Sequence, residues 1–413
     1  MEEGPRFRQS PVQPAAGVRP DPGERQDFLR RRRTFRLRVL PAVLGSTLAA
    51  GCGVGGREIR VGSILSLTGE GQYYGEHIRN GMDLAVDDLN RRGGIRGRPL
   101  RVLFRDSASN PAGAVAAAED LFLRARVPAV IGPVLSSETL AVAPIAERER
   151  RVLLSPASSS PKITGAGDFV FRIYPSDVLE GAYMAEFALR ELHLERIALL
   201  AVSNEYGKGL GGIFRSSLEA AGRGPVLDLE FPERDADYPA LVREIRSREP
   251  DGVYLVSYDQ EAAAFLREHR RQGGGSTVLG VAGFHSRELL RLAGDAAEAV
   301  IFPYLGFDPE SRDPRIRQFV EAYRGRYGVP PDDWAAHGYD AVMILAEAIA
   351  RAGETPDRLR GALMEIRDFP GVAGVTRFDA NGDVVKYPKI FIVHRGEFIP
   401  YRDYLVLRAT GAG

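Results

Sequence analysis

An α/β protein of two Rossmann-like lobes with parallel central sheets is predicted by three observations. Strand and helix patterns alternate along nearly the whole chain. The alternation runs through two successive series. The 413 residues, 44% hydrophobic and 27% charged, are enough for two compact lobes.

The first series opens with a β-branched apolar run, Ile59 to Leu67. Ile78, Met82, Ala85, Val86 and Leu89 then recur at helical spacing between Gly75 and Arg91. Leu100 to Phe104 is a second strand. Asn110-Pro111 supplies a helix cap followed by proline at the first helical position, opening a helix to about Arg124. Short strands at Ala129–Ile131 and Val152–Leu154 flank a helix from Ser137 to Glu149. The second series repeats the order. Helices at Asp177–Arg190, Gly207–Ala220, Tyr238–Arg248 and Glu261–Arg271 alternate with strands at Ile197–Val202, Val226–Phe231, Gly252–Val256 and Val278–Val281. A strong helix from Trp334 to Arg351 and a turn at Asp379-Ala380-Asn381-Gly382 complete the pattern.

Formal net charge is zero, and the abundant arginines are scattered among acids, which offers no footprint for nucleic acid. Residues 1–51 carry 10 Arg and 5 Asp or Glu, which leaves residues 52–413 near −5. Cys52 is the only cysteine, so no internal disulfide can form. It follows a basic stretch (Arg30 to Arg33, Arg36, Arg38), an apolar stretch (Val39 to Ala50) too short to span a bilayer, and Leu48-Ala49-Ala50-Gly51. That order looks like a bacterial lipobox, with Cys52 as the lipidated residue; the plainer alternative is a buried apolar segment with a core cysteine. Residues 1–51 are then a disordered extension plus a lipoprotein signal peptide. Arg32-Arg33-Thr34-Phe35 partly matches a twin-arginine signal, though Arg36 departs from it.

Catalytic patterns are sparse. The six histidines are isolated, no metal-ligand spacing occurs, and no Gly-x-Ser-x-Gly elbow is present. Gly69-Glu70-Gly71, Gly75 and Asp106 resemble a dinucleotide-binding fingerprint, but three residues rather than two separate Gly71 from Gly75. Loop polarity points elsewhere. In parallel α/β sheets, ligands bind beyond the carboxyl ends of the strands, against helix N-termini. The loops Gly69–Gly75, Gly132–Thr139 and Ser155–Ser160 are polar or aromatic. Tyr206 and Tyr258 sit in matching loops of the second series. The competing interpretation makes Ser136, Ser137 and Ser159 simple helix caps.

Ile59-Arg60-Val61-Gly62, Leu67-Thr68-Gly69, Tyr74-Gly75, Gly93-Gly94-Ile95-Arg96-Gly97 and Asp106 occur in order. Ser155-Pro156-Ala157, Phe171-Arg172, Tyr206-Gly207, Ala293-Gly294-Asp295-Ala296-Ala297-Glu298, Tyr339-Asp340-Ala341 and Phe378-Asp379 follow. This succession resembles the leucine/isoleucine/valine-binding protein family, type I periplasmic binding proteins of ABC transporters. The resemblance implies the type I periplasmic binding protein fold, with three hinge crossovers near Tyr174–Asp177, Phe302–Phe307 and Thr376–Lys389. It implies an N-terminal lobe of 57–175 with 306–380 and a C-terminal lobe of 176–305 with 381–408. By the same resemblance Ser136 grips a ligand carboxylate, Ala157 gives a backbone contact and Ser159 a hydroxyl. Tyr74, Tyr206, Tyr258 and Trp334 line the cleft, although Trp334 also suits a helix-start core position. Where the family's amino-acid binders carry an acid for the ligand ammonium, this chain has Ala282. An ammonium buried without a counter-charge is costly. A ligand without an α-ammonium is therefore expected, unless Asp259 or Glu261 substitutes.

The implied role is a non-enzymatic, monomeric solute-binding lipoprotein on the outer side of a membrane. It would carry an amino acid or an ammonium-free carboxylate or amide to ABC permease and ATPase subunits, without metal or organic cofactor. A ligand-sensing module signalling to a membrane receptor is the alternative, with an exported dinucleotide-binding enzyme behind it.

Overall fold

Hydrophobic strands flanked by amphipathic helices build two separate sheets in the computed structural model, which describes residues 57–410. The signal-peptide and lipobox expectations, Cys52 included, lie outside the described residues. Among the described residues no helix is long and apolar enough to cross a membrane.

The first sheet has β1 (Ile59–Leu65), β2 (Leu100–Asp106), β3 (Ala129–Ile131), β4 (Val152–Ser155) and β5 (Val170–Arg172) in the order β2-β1-β3-β4-β5. Every pairing is parallel. Its connections include α1 (Gln72–Arg91), α2 (Pro111–Glu119) and α3 (Ser136–Glu149). Asn110 caps α2 as expected, its side chain accepting from Gly113 N–H.

The chain then enters α4 (Asp177–Arg190) and the second sheet. There, β6 (Ile197–Val202), β7 (Leu227–Phe231), β8 (Gly252–Val256), β9 (Thr277–Leu279) and β10 (Ile301–Tyr304) run parallel in the order β7-β6-β8-β9-β10. They alternate with α5 (Glu205–Ala220), α6 (Tyr238–Ser247), α7 (Asp259–Arg271) and α8 (Arg287–Ala293). Both parallel cores share one strand order, which reverses direction between the first and third strands of each sheet. Ligand crevices open at such switch points.

Helices α9 (Pro314–Tyr327), α10 (Asp333–Ala352) and α11 (Pro356–Met364) return to the first sheet, with α10 packed along α1. A small hairpin of β11 (Phe369–Gly371) and β12 (Gly374–Thr376) follows. The last crossing leads to β13 (Lys389–His394), β14 (Glu397–Pro400) and α12 (Tyr401–Thr410).

Two findings refine the expectation. Strand β10 continues to Tyr304, so the second crossing starts only after it. The second sheet is not parallel throughout, since β13 and β14 extend it antiparallel. Arg395 and Gly396 both adopt positive φ, the two-residue turn whose twist suits a hairpin.

Each lobe uses one glycine in the same way. A Cβ on Gly75 would lie 2.1 Å from Ser66 O, and one on Gly207 1.8 Å from Val202 O. Both α1 and α5 therefore start hard against the end of the strand before them. This places the preceding tyrosines, Tyr74 and Tyr206, at the strand ends.

Candidate functional site

The loops after the strands of both lobes meet around one cavity. The first lobe supplies Tyr74 after β1, Ser136 after β3, and Ala157 and Ser159 after β4. The second supplies Tyr206 after β6, Tyr258 after β8 and Ala282 after β9, and Trp334 comes from the start of α10. All eight positions expected from the sequence thus line one cavity.

Ser136 is the first residue of α3, not its cap. Its Oγ accepts from the backbone N–H groups of Ser159 (3.3 Å) and Ser160 (3.1 Å). With acceptor capacity used in this way, the hydroxyl proton is left to donate. The helix-cap interpretation therefore fails for Ser136. The neighbouring Ser160, outside that interpretation, caps the short turn Pro161–Ile163.

The Ser159–Ser160 segment is held by Arg172, whose side chain is fully buried. Arg172 Nη1 donates to Ser159 O and Ser160 O, both at 2.9 Å. Its Nε and Nη2 donate to the two carboxylate oxygens of Asp383 at 2.6 and 2.8 Å, and Nη2 also donates to Thr164 Oγ1 at 2.6 Å. All five guanidinium donors are used.

Aromatic rings form one wall. Trp334 meets Tyr74 edge-on at 5.0 Å and stacks on Tyr174 at 5.4 Å, while Tyr206 stacks on Tyr258 at 5.5 Å. Such contacts carry an apolar ligand group without needing a charge. Ion pairs close the rim across the lobes, between Lys162 and Glu205 at 2.8 Å and between Arg234 and Glu70.

The dinucleotide alternative loses its acid. Asp106 Oδ1 accepts from the N–H groups of Leu67, Thr68 and Ala108, and Oδ2 from the Thr68 hydroxyl. The carboxylate is committed to shaping the loop after β1.

The profile of the periplasmic binding protein family matches residues 58–391. The chain belongs to this family. A Leu/Ile/Val-binding protein of Rhizobium johnstonii is 27% identical over 351 residues, covering 84% of this chain and 94% of that protein. The crystal structure of a leucine-binding protein from Thermotoga maritima aligns with a TM-score of 0.78 at 30% identity, covering 83% of this chain and 97% of the other. A branched-chain amino acid transporter substrate-binding protein from Streptococcus pneumoniae, in complex with isoleucine, aligns with a TM-score of 0.77 at 27% identity. That match covers 83% and 97% of the two chains. The fold is thus that of the type I members, in their leucine/isoleucine/valine-binding branch.

At Ala282 the structure rules out both substitutes that the sequence offered. Neither Asp259 nor Glu261 lines this cavity. Asp259 accepts from Ser286 Oγ at 2.9 Å and borders a separate outer crevice, and Glu261 borders another. Two acids that the sequence analysis passed over do line it, Asp177 and Glu180 on α4. Glu180 Oε1 accepts from Ala282 N–H at 2.9 Å, so a carboxylate reaches this place from another element. Tyr174 and Ser257 were also missed. The available signal was the position of Tyr174 and Asp177 at the first expected crossover, beside the cavity; Glu180 and Ser257 had none.

Beneath the ligand loops lies another buried acid, Glu138. It accepts from Ser66 Oγ (3.2 Å) and Leu135 N–H (3.3 Å). Burial raises its pKa from 4.5 to about 7, against the opposing pull of hydrogen bonds from Ser107, Leu135 and Ser66. A carboxyl raised in the fold favours folding when protonated. Its contribution is complete below the unfolded value and is lost as pH rises through the folded one. Relative to Glu138→Gln, the wild-type protein should lose about 2–3 kcal/mol of stability between pH 4.5 and 8.5. Urea unfolding of both proteins across that range tests this, and parallel curves would contradict it.

Proposed function

We propose that this protein is an extracytoplasmic solute-binding component of an ABC transporter of the branched-chain amino acid type. It captures a small carboxylate-bearing ligand between its lobes and presents it to a membrane permease. The observation that carries the reading is the single cavity lined by both lobes, with a hydroxyl donor at one end and stacked aromatics along one wall. A ligand that touches both lobes favours the closed arrangement, whereas one touching a single lobe shifts no equilibrium. The names of the relatives fit this role, as transporter substrate-binding and amino-acid-binding proteins.

In this reading Ser136 donates to the ligand carboxylate, and Ser159 and Ala157 complete that end. Tyr74, Trp334 and Tyr174 enclose the apolar part. The Ser136 hydroxyl and the N-terminus of α3 hold an anion without a cationic side chain. Cys52 is the proposed lipid attachment point, leaving the two lobes free outside the membrane.

A thermal-shift screen of amino acids and of small carboxylates and amides identifies the ligand. One present at about 100 times its dissociation constant should add roughly 2.7 kcal/mol of stability. Ser136→Ala should then weaken binding of that ligand by about 1.5–3 kcal/mol in calorimetry. Unchanged affinity in a folded variant would remove Ser136 from the site. Separately, Cys52→Ser should move the expressed protein from the membrane fraction to the soluble fraction. Retention in the membrane fraction would count against the anchor.

A further inference from the structure

We infer that Asn204 is a positioning residue of the ligand cleft, holding the Tyr258 hydroxyl so that the Tyr258 ring completes a row of aromatics between the lobes. The inference rests on the reading of the cavity as the ligand site and names what keeps its second-lobe wall in place.

Asn204 follows β6 and caps α5, its Oδ1 accepting from Gly207 N–H at 2.9 Å. That bond decides which way the amide faces. A backbone N–H can only donate, so the amide oxygen must meet Gly207 and the amino group must face the other way. Nδ2 then donates to two acceptors, the Tyr258 hydroxyl at 3.2 Å and Glu233 Oε1. It carries two hydrogens, and each has one acceptor. One side chain thus joins the loops after β6, β7 and β8. Turning the amide over would lose all three contacts.

Asn204 does not line the cavity, whereas Tyr258 does. From its own lobe Tyr206 stacks on Tyr258 at 5.5 Å, and from the first lobe Tyr74 meets it at 5.9 Å. Tyr74 in turn meets Trp334 at 5.0 Å, and Trp334 stacks on Tyr174 at 5.4 Å. These rings run unbroken from one lobe to the other, and the Tyr74–Tyr258 contact is where the row passes between them. A tyrosine held by stacking alone can change its side-chain torsions, but a bonded hydroxyl fixes the far end of the ring.

The second acceptor leads to the rim. Glu233 precedes Arg234, whose Nε donates to Glu70 Oε1 of the first lobe. Glu70, Glu233 and Arg234 line one outer crevice together. The Asn204 amide therefore ties a wall of the cavity to the loop that makes the rim contact between the lobes.

Trp334 is the only tryptophan in the chain, so its fluorescence reports on the aromatic row. Acrylamide, a small neutral quencher, reads how open that row is, and the measurement on the full chain needs no other ligand. Asn204→Ser keeps an oxygen for the helix cap and removes the amino group. Acrylamide should quench Trp334 roughly twofold to tenfold more strongly in this variant, the range for loss of one hydrogen bond. Tyr258→Phe keeps the ring and leaves the cap untouched, and it should give the same rise. The double variant should rise no further than either single one, because both substitutions break the same bond. A role as helix cap alone moves none of these readings. Wild-type quenching in Asn204→Ser, or two effects that add, would overturn the inference. Should Asn204→Ser not fold, Tyr258→Phe carries the test, and wild-type quenching there overturns the inference equally. Neither outcome touches the cleft reading, which the thermal-shift screen and Ser136→Ala decide.

Discussion

The cleft depends on one buried guanidinium. Arg172 ends β5, at the point where the chain leaves the first sheet, and spends two donors on the carbonyls of Ser159 and Ser160. Those residues in turn present their N–H groups to Ser136 Oγ. The opposite side of the guanidinium is clamped by Asp383, which follows the turn in the third crossover. One side chain thus ties the ligand-facing loop of the first lobe to a hinge connection. A charge buried this deeply is tolerated because every donor is satisfied. Removing one partner exposes the full desolvation cost, which is why such pairs are sensitive to single substitutions.

Around that point the molecule repeats one plan. Each lobe places a strand-order reversal at the cleft, and each brings a tyrosine there with a glycine that lets the next helix start against the strand end. The first lobe contributes hydroxyl and backbone donors and the second contributes stacked tyrosines, so neither half of the cavity offers a complete site. That division of labour couples binding to closure. The rim pairs Lys162–Glu205 and Arg234–Glu70 join the same two halves, but the basic partner of each is exposed and such pairs add little in salt.

Much of this was legible in the residues. Strand and helix periodicities locate the parallel cores, and ordered short motifs around Tyr74, Ala157 and Tyr206 carry the resemblance from which eight positions on one cavity were named. The misses have physical causes. Asp177 and Glu180 stand in the first turn of a helix, where acids are commonplace because they complement the helix dipole. Asp177 closes the first expected crossover, but the sequence does not show that the first turn of α4 points into the cleft. Glu180 reaches the Ala282 backbone from a hundred positions away, a proximity that sequence order cannot show. Asp259 and Glu261 were nearer in sequence but face other crevices. The β13–β14 hairpin was overlooked because its turn, Arg395-Gly396, lacks the Asn-Gly or Asp-Gly signal that marks most such turns.

The Arg172–Asp383 contact holds the ligand loop and the hinge connection together. Asp383→Ala leaves the guanidinium buried without its counter-charge. Equilibrium unfolding in urea should then show a loss of about 3–5 kcal/mol relative to the wild-type protein. A folded Asp383→Ala protein within about 1 kcal/mol of wild type, the range of an exposed pair, would contradict the account.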